Sequence, residues 1–433
     1  VVTEIVGLQY GDEGKSKISS YESSDAKLIV RSTGGCSFNQ AIDGKECKSK
    51  LKIIPSGIMN KNTICILGPG MAIDPQVLIH EIDLLRDLGV LISRQNLMIS
   101  EKALVVLPYH KKLDAYYESL KPKPTNKALD GLESAYASNT RNVGVRMIDI
   151  LHGNWYRIKE ELQTLTQDFI DEYSQLYSTK REREVSIKAL TEEMSALCQN
   201  YRLRLHFYIR EVQSVINRIL YSDLKIVVEG SGSYGLDIVK GENQFVLPFS
   251  CSSSSLISSA GIGLLNVKEI VAVAKAYNTI TAKGPFITEV KGRTRKVFLN
   301  FANENEIGLR APKRYGWLDL VQLKNAVFEN SITKLAITHI DTIGAIGNVL
   351  GSIKVCVGYK INEHTISYMP MDSENVKPIY QYLKPWIMPQ EKCKTFDQLP
   401  REAKQFIHLI ETLTCVNVSL IGTGPDKEDL IIR

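Results

Sequence analysis

Short apolar runs closed by glycine alternate along this chain with stretches whose apolar residues recur at helical spacing. Val1–Gly7 reads as a strand, followed by a glycine-punctuated turn and a helix opening at Lys15–Tyr21. Lys27–Arg31 is a second apolar strand, closed by Gly34 and Gly35, and Thr63–Leu67 is a third, closed by Gly68, Pro69 and Gly70. Pro75–Leu88 then carries Val77, Leu78, Ile82, Leu85 and Leu88 on one helical face. Asp74 stands ready as its cap and Pro75 as its first residue. Strands alternating with helices of this length predict an α/β fold: a large, mostly parallel sheet with helices on both faces.

The middle of the chain changes character. From Tyr156 to about Leu220 glycine and proline are absent while apolar periodicity persists, which predicts a helical subdomain over about 156–222. The charge run at Thr179–Glu184 alternates in sign and reads as a solvated corner rather than a binding patch. A strand is expected at Lys225–Glu229, followed by the glycine-rich Gly230–Gly235. The serine-rich Ser250–Ser259 leads toward a helix expected over Val267–Tyr277. Further strands are expected at Ile337–Thr338 and Ser352–Val357, a last helix at Arg401–Thr412, and a strand at Val416–Ile421. No internal repeat or linker divides the chain, so 1–433 reads as a single domain.

Composition narrows the function classes. The chain has 433 residues, of which 44% are hydrophobic and 23% charged, with 53 basic against 48 acidic side chains. A net charge of +5 spread over this length carries no specific nucleic-acid signal. The eight cysteines form no CxxC pair and the seven histidines no paired-ligand spacing. The cysteine pattern favours a reducing interior, the cytoplasm or an organellar matrix. No apolar run reaches the ~18 residues of a membrane span.

The sharpest local chemistry lies at Gly7–Lys17, GLQYGDEGKSK, between the first strand and the first helix. Glycines let several backbone N–H groups point at one place, and the helix start adds partial positive charge. Lys15 or Lys17 can meet a phosphate directly, and Asp12 can hold Mg²⁺ or take a proton. The spacing is not that of a Walker A loop. Gly230–Gly235 and Gly422–Asp426 are two more glycine loops at strand ends, where open α/β sheets place their ligands.

Gly7–Lys17 resembles the GxQWGDEGKGK signature of the adenylosuccinate synthetases. The resemblance continues in family order through Ile54–Gly57, Gly68–Gly70, Gly144–Arg146, Glu229–Gly230, Leu236–Ile238, Lys275–Tyr277, Gly284–Phe286, Gly316–Asp319, Thr333–Leu335 and Thr423–Asp426. It therefore implies an adenylosuccinate-synthetase-like, P-loop-related fold over essentially the whole chain. It also implies an enzyme that joins IMP to L-aspartate with GTP and Mg²⁺, in a homodimer whose neighbouring subunit lends an arginine to the IMP phosphate. In that family the loop aspartate is base and metal ligand, and a downstream histidine is the acid toward the γ-phosphate.

Carried over residue by residue, the resemblance makes Asp12 the catalytic aspartate. Gly11, Glu13, Gly14, Lys15, Ser16 and Lys17 form the phosphate loop, with Lys334, Thr423, Gly424 and Pro425 completing the nucleotide site. Asp12 and the backbone of Asn39 would hold the metal. Gln40 replaces the catalytic histidine within Gly34–Ala41, GGCSFNQA. Gly232 replaces a glutamine that contacts IMP, Leu247 a threonine, and Ala336 the acid of the guanine-reading KLD. Asn39, Arg141, Gly232, Leu247, Lys313 and Arg314 occupy the IMP and aspartate positions, with the loops at Leu129–Ser134 and Leu309–Arg314 shortened.

These departures favour a homologue with a degenerate, non-catalytic site, kept as a structural or interaction protein in a homodimer or a larger assembly. The alternative is an active GTP- and Mg²⁺-dependent adenylosuccinate synthetase of purine biosynthesis, since Gly14, Lys15 and Lys17 keep the phosphate loop although Ser16 replaces a glycine there.

Overall fold

The computed structural model describes residues 1–35, 40–41, 50–122, 128–153, 156, 159–160, 162–164, 167, 180–241, 246–281, 284–302, 312–370 and 375–433. Eleven strands form one sheet. Across it, from one edge, run Leu430–Ile432, Val418–Gly422, Lys334–Thr338, Val267–Lys275, Val2–Gly7, Ile226–Glu229, Leu28–Gly34, Ile64–Ile73, Leu97–Ser100 and Ile209–Arg210. Leu104–Val105 adds to the far half of Ile64–Ile73. Every pairing is parallel except that of Leu430–Ile432.

Successive residues of the central strands feed opposite cores. Ile29, Cys65, Leu67 and Val227 join the helices Lys15–Glu22 and Pro75–Asp87 on one face. Leu28, Val30, Ile66 and Val228 join Gln213–Tyr221 and Ser253–Ser259 on the other. A strand buried on both faces can be apolar at every position, which is why these runs look continuous rather than alternating. Asp74 caps Pro75–Asp87 as its sequence predicts, accepting from the backbone N–H groups of Gln76 at 2.9 Å and Val77 at 3.3 Å.

Three expectations need correction. Val267–Lys275 is a strand in the middle of the sheet rather than a helix. Its alanines and lysines suit a helix, but burial between two neighbouring strands outweighs that preference. The strand Ile64–Ile73 runs through Gly68, Pro69 and Gly70 instead of stopping there. A Cβ on Gly68 would lie 2.7 Å from the Arg31 carbonyl oxygen, and one on Gly70 would lie 2.6 Å from that of Ser32. The glycines therefore allow close contact at a register shift, where proline is tolerated. The serine-rich segment itself supplies the helix Ser253–Ser259.

Between Lys180 and Tyr221 the described chain holds the helices Lys180–Leu205 and Gln213–Tyr221, joined through the edge strand Ile209–Arg210. A second sheet of five strands contains Tyr277–Ile280, Arg314–Asp319, Ile353–Ile361, His364–Ile366 and Lys377–Leu383. It shares a core with the strands Val267–Lys275 and Lys334–Thr338. Among the described residues no helix is long and apolar enough to cross a membrane.

Candidate active site

The site grows out of the end of the central strand Val2–Gly7. The chain there turns through left-handed backbone at Gly11, Asp12 and Gly14, with φ of 95°, 57° and 86°. Glycine adopts this region without strain, whereas Asp12 is a non-glycine residue held there by its surroundings. Buried Glu13 fixes the turn from beneath, its Oε1 accepting from the N–H groups of Gln9 at 3.1 Å and Gly11 at 3.0 Å. Its Oε2 takes the Lys15 ammonium at 2.6 Å, and Lys15 also donates to the Ser233 hydroxyl at 2.9 Å. Burial opposes the charge on Glu13, but Lys15 and the hydrogen bonds outweigh it and hold the carboxyl below its usual range.

Those contacts join the first glycine loop to the second. The third is joined by Lys17, which donates to the carbonyl oxygens of Gly424 at 2.9 Å and Asp429 at 2.8 Å. Thr338, at the end of its strand, donates to the Glu13 carbonyl at 2.7 Å. The three loops read separately from the sequence thus meet at one end of the parallel sheet.

Asp12 stands exposed above this floor and pairs with the buried ammonium of Lys313 at 2.8 Å. Burial of its surroundings pushes the Asp12 carboxyl up. Lys313, with Lys275 and Lys15 behind it, more than compensates and leaves it below the ordinary carboxylate value. Gln9 anchors the base of the loop. Its Oε1 accepts from the Lys275 N–H at 2.8 Å, and its amide donates to the Lys275 carbonyl at 3.0 Å. Arg314 makes a two-pronged contact with Glu289, both distances 2.8 Å.

The Gly230–Gly235 loop is closed over by the segment that follows it. Asp237 accepts from the N–H groups of Val239 and Lys240 and from the Ser250 hydroxyl, at 2.6–2.9 Å. It also accepts from the N–H groups of Cys251 at 2.5 Å and Ser252 at 3.1 Å. This folds Leu247 and Cys251 onto Gly232, which has φ +83°. A Cβ there would overlap the Cys251 sulfur and lie 2.6 Å from Leu247 Cδ1.

The family model for adenylosuccinate synthetase matches residues 4–431. The chain belongs to the adenylosuccinate synthetase family. The adenylosuccinate synthetase of Caldanaerobacter subterraneus subsp. tengcongensis is 32% identical, with 100% of this chain and 99% of that protein covered. That of Clostridium kluyveri is 33% identical, with coverages of 99% and 98%. The fully ligated adenylosuccinate synthetase of Plasmodium falciparum superposes with a TM-score of 0.89 at 27% identity, covering 100% of this chain and 99% of that one.

With the adenylosuccinate synthetase frame in hand, most of the expected site residues come together. Gly11–Lys17, Gly232, Leu247, Lys313, Arg314 and Thr423–Pro425 all lie on or beside the three loops. Lys334 does not. It opens its strand at the opposite end and pairs with Glu269 at 2.6 Å, while Ala336 is buried in mid-strand. Arg141 lies on the exposed surface at the end of the helix Leu132–Thr140. Gln40 lies in a two-residue strand paired with Lys50–Leu51, and Asn39 falls outside the described residues.

One residue the sequence reading passed over sits where Ala336 was expected. Asp341 is the second residue of the helix Ile340–Leu350, just past the strand end and within electrostatic reach of Lys17 and Asp429. Burial pushes its carboxyl up, and the backbone N–H groups of Thr342 and Asp341, with Lys17 after them, draw it part of the way back. The signal was present: Thr338–Asp341, THID, repeats the threonine–base–aliphatic–acid order of TKLD, five residues after the TKLA at Thr333–Ala336.

Proposed function

We propose that the chain catalyses the reaction of its family, joining IMP to L-aspartate at the expense of GTP. The observation that carries this reading is Asp12, kept ionised by Lys313 at the tip of the Gly11–Lys17 loop. As base, Asp12 would draw the ring proton of the hypoxanthine, leaving the 6-oxygen to take the γ-phosphoryl group. The aspartate amine then displaces phosphate. Lys15, the loop N–H groups and the start of the helix Lys15–Glu22 bind and orient the phosphates.

Asp341 would read the guanine of GTP, because an ionised carboxylate only accepts hydrogen bonds and guanine offers a ring N–H beside an amine. The Asp12 carboxylate also suits Mg²⁺, which needs one or two protein oxygens when phosphates supply others. Bound there with the Asn39 backbone, the ion would neutralise phosphoryl charge. Among the described residues no cluster of three acidic, histidine or cysteine side chains suggests any other metal.

Gln40 sets the rate. Its amide can donate a hydrogen bond to a phosphoryl oxygen but has no proton to give near neutral pH, and an acid step is worth about 10²–10⁴-fold. A second reading, a non-catalytic member kept as a structural or interaction protein, is favoured by one observation. Leu247 and Cys251 occupy the space over Gly232, where the family's IMP-contacting glutamine would reach. In either reading a homodimer is the proposed assembly, with Arg141 the candidate for the residue lent between subunits.

The deciding experiment is formation of adenylosuccinate by the full chain from IMP, aspartate and GTP with Mg²⁺, alongside calorimetric binding of GTP and IMP. Turnover that disappears with Asp12→Asn establishes the enzyme. GTP binding without turnover at any substrate concentration establishes the second reading.

A further inference from the structure

We infer that Lys17 is a positioning residue that builds the nucleotide's base-selecting loop and is not a ligand of its phosphates. The inference deepens the proposed reading of the same site. Lys17 lies in the first turn of its helix, as a phosphate-binding lysine would, yet its ammonium is directed away from the loop that opens this helix. Two of its three N–H groups go to the carbonyl oxygens of Gly424 and Asp429. Between those two carbonyls the chain closes on itself. The Thr423 N–H donates to the Asp429 carbonyl at 2.9 Å, and the Asp426 N–H donates to Asp429 Oδ2 at 3.0 Å.

Lys392 holds the same loop from outside, pairing with Asp426 at 3.1 Å and Asp429 at 2.7 Å. The loop is thus bracketed by two lysines, one from the phosphate loop and one from a segment 34 residues before Asp426.

Charge argues against phosphate at Lys17. Asp429, Asp341 and Asp426 act on the Lys17 ammonium, and Lys392 opposes them in part. The carboxylates gathered around Lys17 disfavour a phosphate there and suit the N–H-rich edge of a base. Lys15, by contrast, lies under the left-handed turn with Ser233, where the loop N–H groups converge. One lysine serves the phosphate end and the other the base end. Adenine presents an unprotonated ring nitrogen where guanine presents its ring N–H, so a correctly set loop beside Asp341 discriminates between them.

The test uses the full chain and the variants Lys17→Met and Lys17→Arg. Affinities for GTP, ATP and inorganic tripolyphosphate are measured by calorimetry, and amide hydrogen exchange is followed over Thr423–Asp429. In Lys17→Met, GTP affinity is expected to fall at least tenfold while ATP and tripolyphosphate change less than twofold. Loop exchange should accelerate at least tenfold, and Lys17→Arg should restore part of both. Equal weakening of all three ligands overturns the inference by making Lys17 a phosphate ligand. Unchanged loop exchange overturns it even if the unsubstituted chain binds no nucleotide, a result that by itself removes the proposed function.

Discussion

Glu4, in the central strand, accepts the Ser253 hydroxyl at 2.5 Å through Oε2, while its buried Oε1 meets no partner among the described residues. Burial outweighs the hydroxyl and raises this carboxyl from an ordinary 4.5 to about 8. The folded chain therefore keeps a proton that the unfolded chain releases above about pH 4.5. Stability should fall as pH rises through the window from 4.5 to about 8, and level off above it. Urea unfolding at pH 6 and pH 8.5 checks this, with Glu4→Gln expected to flatten the difference. A parent protein no less stable at pH 8.5 than at pH 6 would remove the protonated carboxyl from the account.

The Asp12–Lys313 pair makes a kinetic prediction. Lys313 lowers the pKa of the proposed base, so the acid side of the rate profile should lie below ordinary carboxylate values. In Lys313→Met burial acts without its main opponent, and that limb should move up by about one pH unit or more. Asp12→Asn should abolish the limb together with the activity. A profile that does not move in Lys313→Met excludes Asp12 as the titrating group.

Gln40→His restores an acid at a position where the family carries one. If proton donation limits turnover, kcat should rise by about 10²–10⁴-fold with little change in KM for IMP. The rise should be lost on the alkaline side as the imidazole deprotonates. An unchanged kcat would place the limiting defect elsewhere, with Gly232 the first candidate.

Gly232→Gln should not restore the family's IMP contact. Left-handed backbone alone costs a side chain about 1–3 kcal/mol, and the new Cβ meets Leu247 and Cys251 at once. The expected outcome is a lower unfolding midpoint and no gain in IMP affinity. Combining it with Leu247→Thr and Cys251→Ala should recover part of the stability by opening the space. A single substitution as stable as the parent would falsify the packing described over Gly232.

The legible parts of the site were those encoded within a few residues of one another. Gly11, Asp12 and Gly14 announce their turn, and Asp74 with Pro75 announces a helix start, because caps and left-handed turns depend on local chemistry. Val267–Lys275 was not legible: whether such a run becomes a helix or an interior strand is decided by neighbours far away in sequence. The acid at Asp341 was hidden for a related reason. Two similar tetrads lie five residues apart, and only the strand's direction tells which one reaches the ligand end. The closure of Gly232 by Leu247 and Cys251 depends on how Asp237 folds a loop, and no spacing rule encodes that.

The strand in the middle of the sheet lies far in sequence from both of its partners. Val2–Gly7 takes its neighbours from Ile226–Glu229 and Val267–Lys275, and Gln9 is hydrogen-bonded to a residue 266 positions later. During synthesis both edges of this strand stay unmatched until residues 226–229 have emerged, although Ile18 of the nearby helix Lys15–Glu22 can already cover Ile5 on one face. The phosphate loop, encoded almost entirely within Gly7–Lys17, therefore acquires its shape late, when Ser233, Thr338 and Gly424 arrive to hold it. Partial chains carry Asp12 but no site around it, and their central strand has open edges that other chains could pair with.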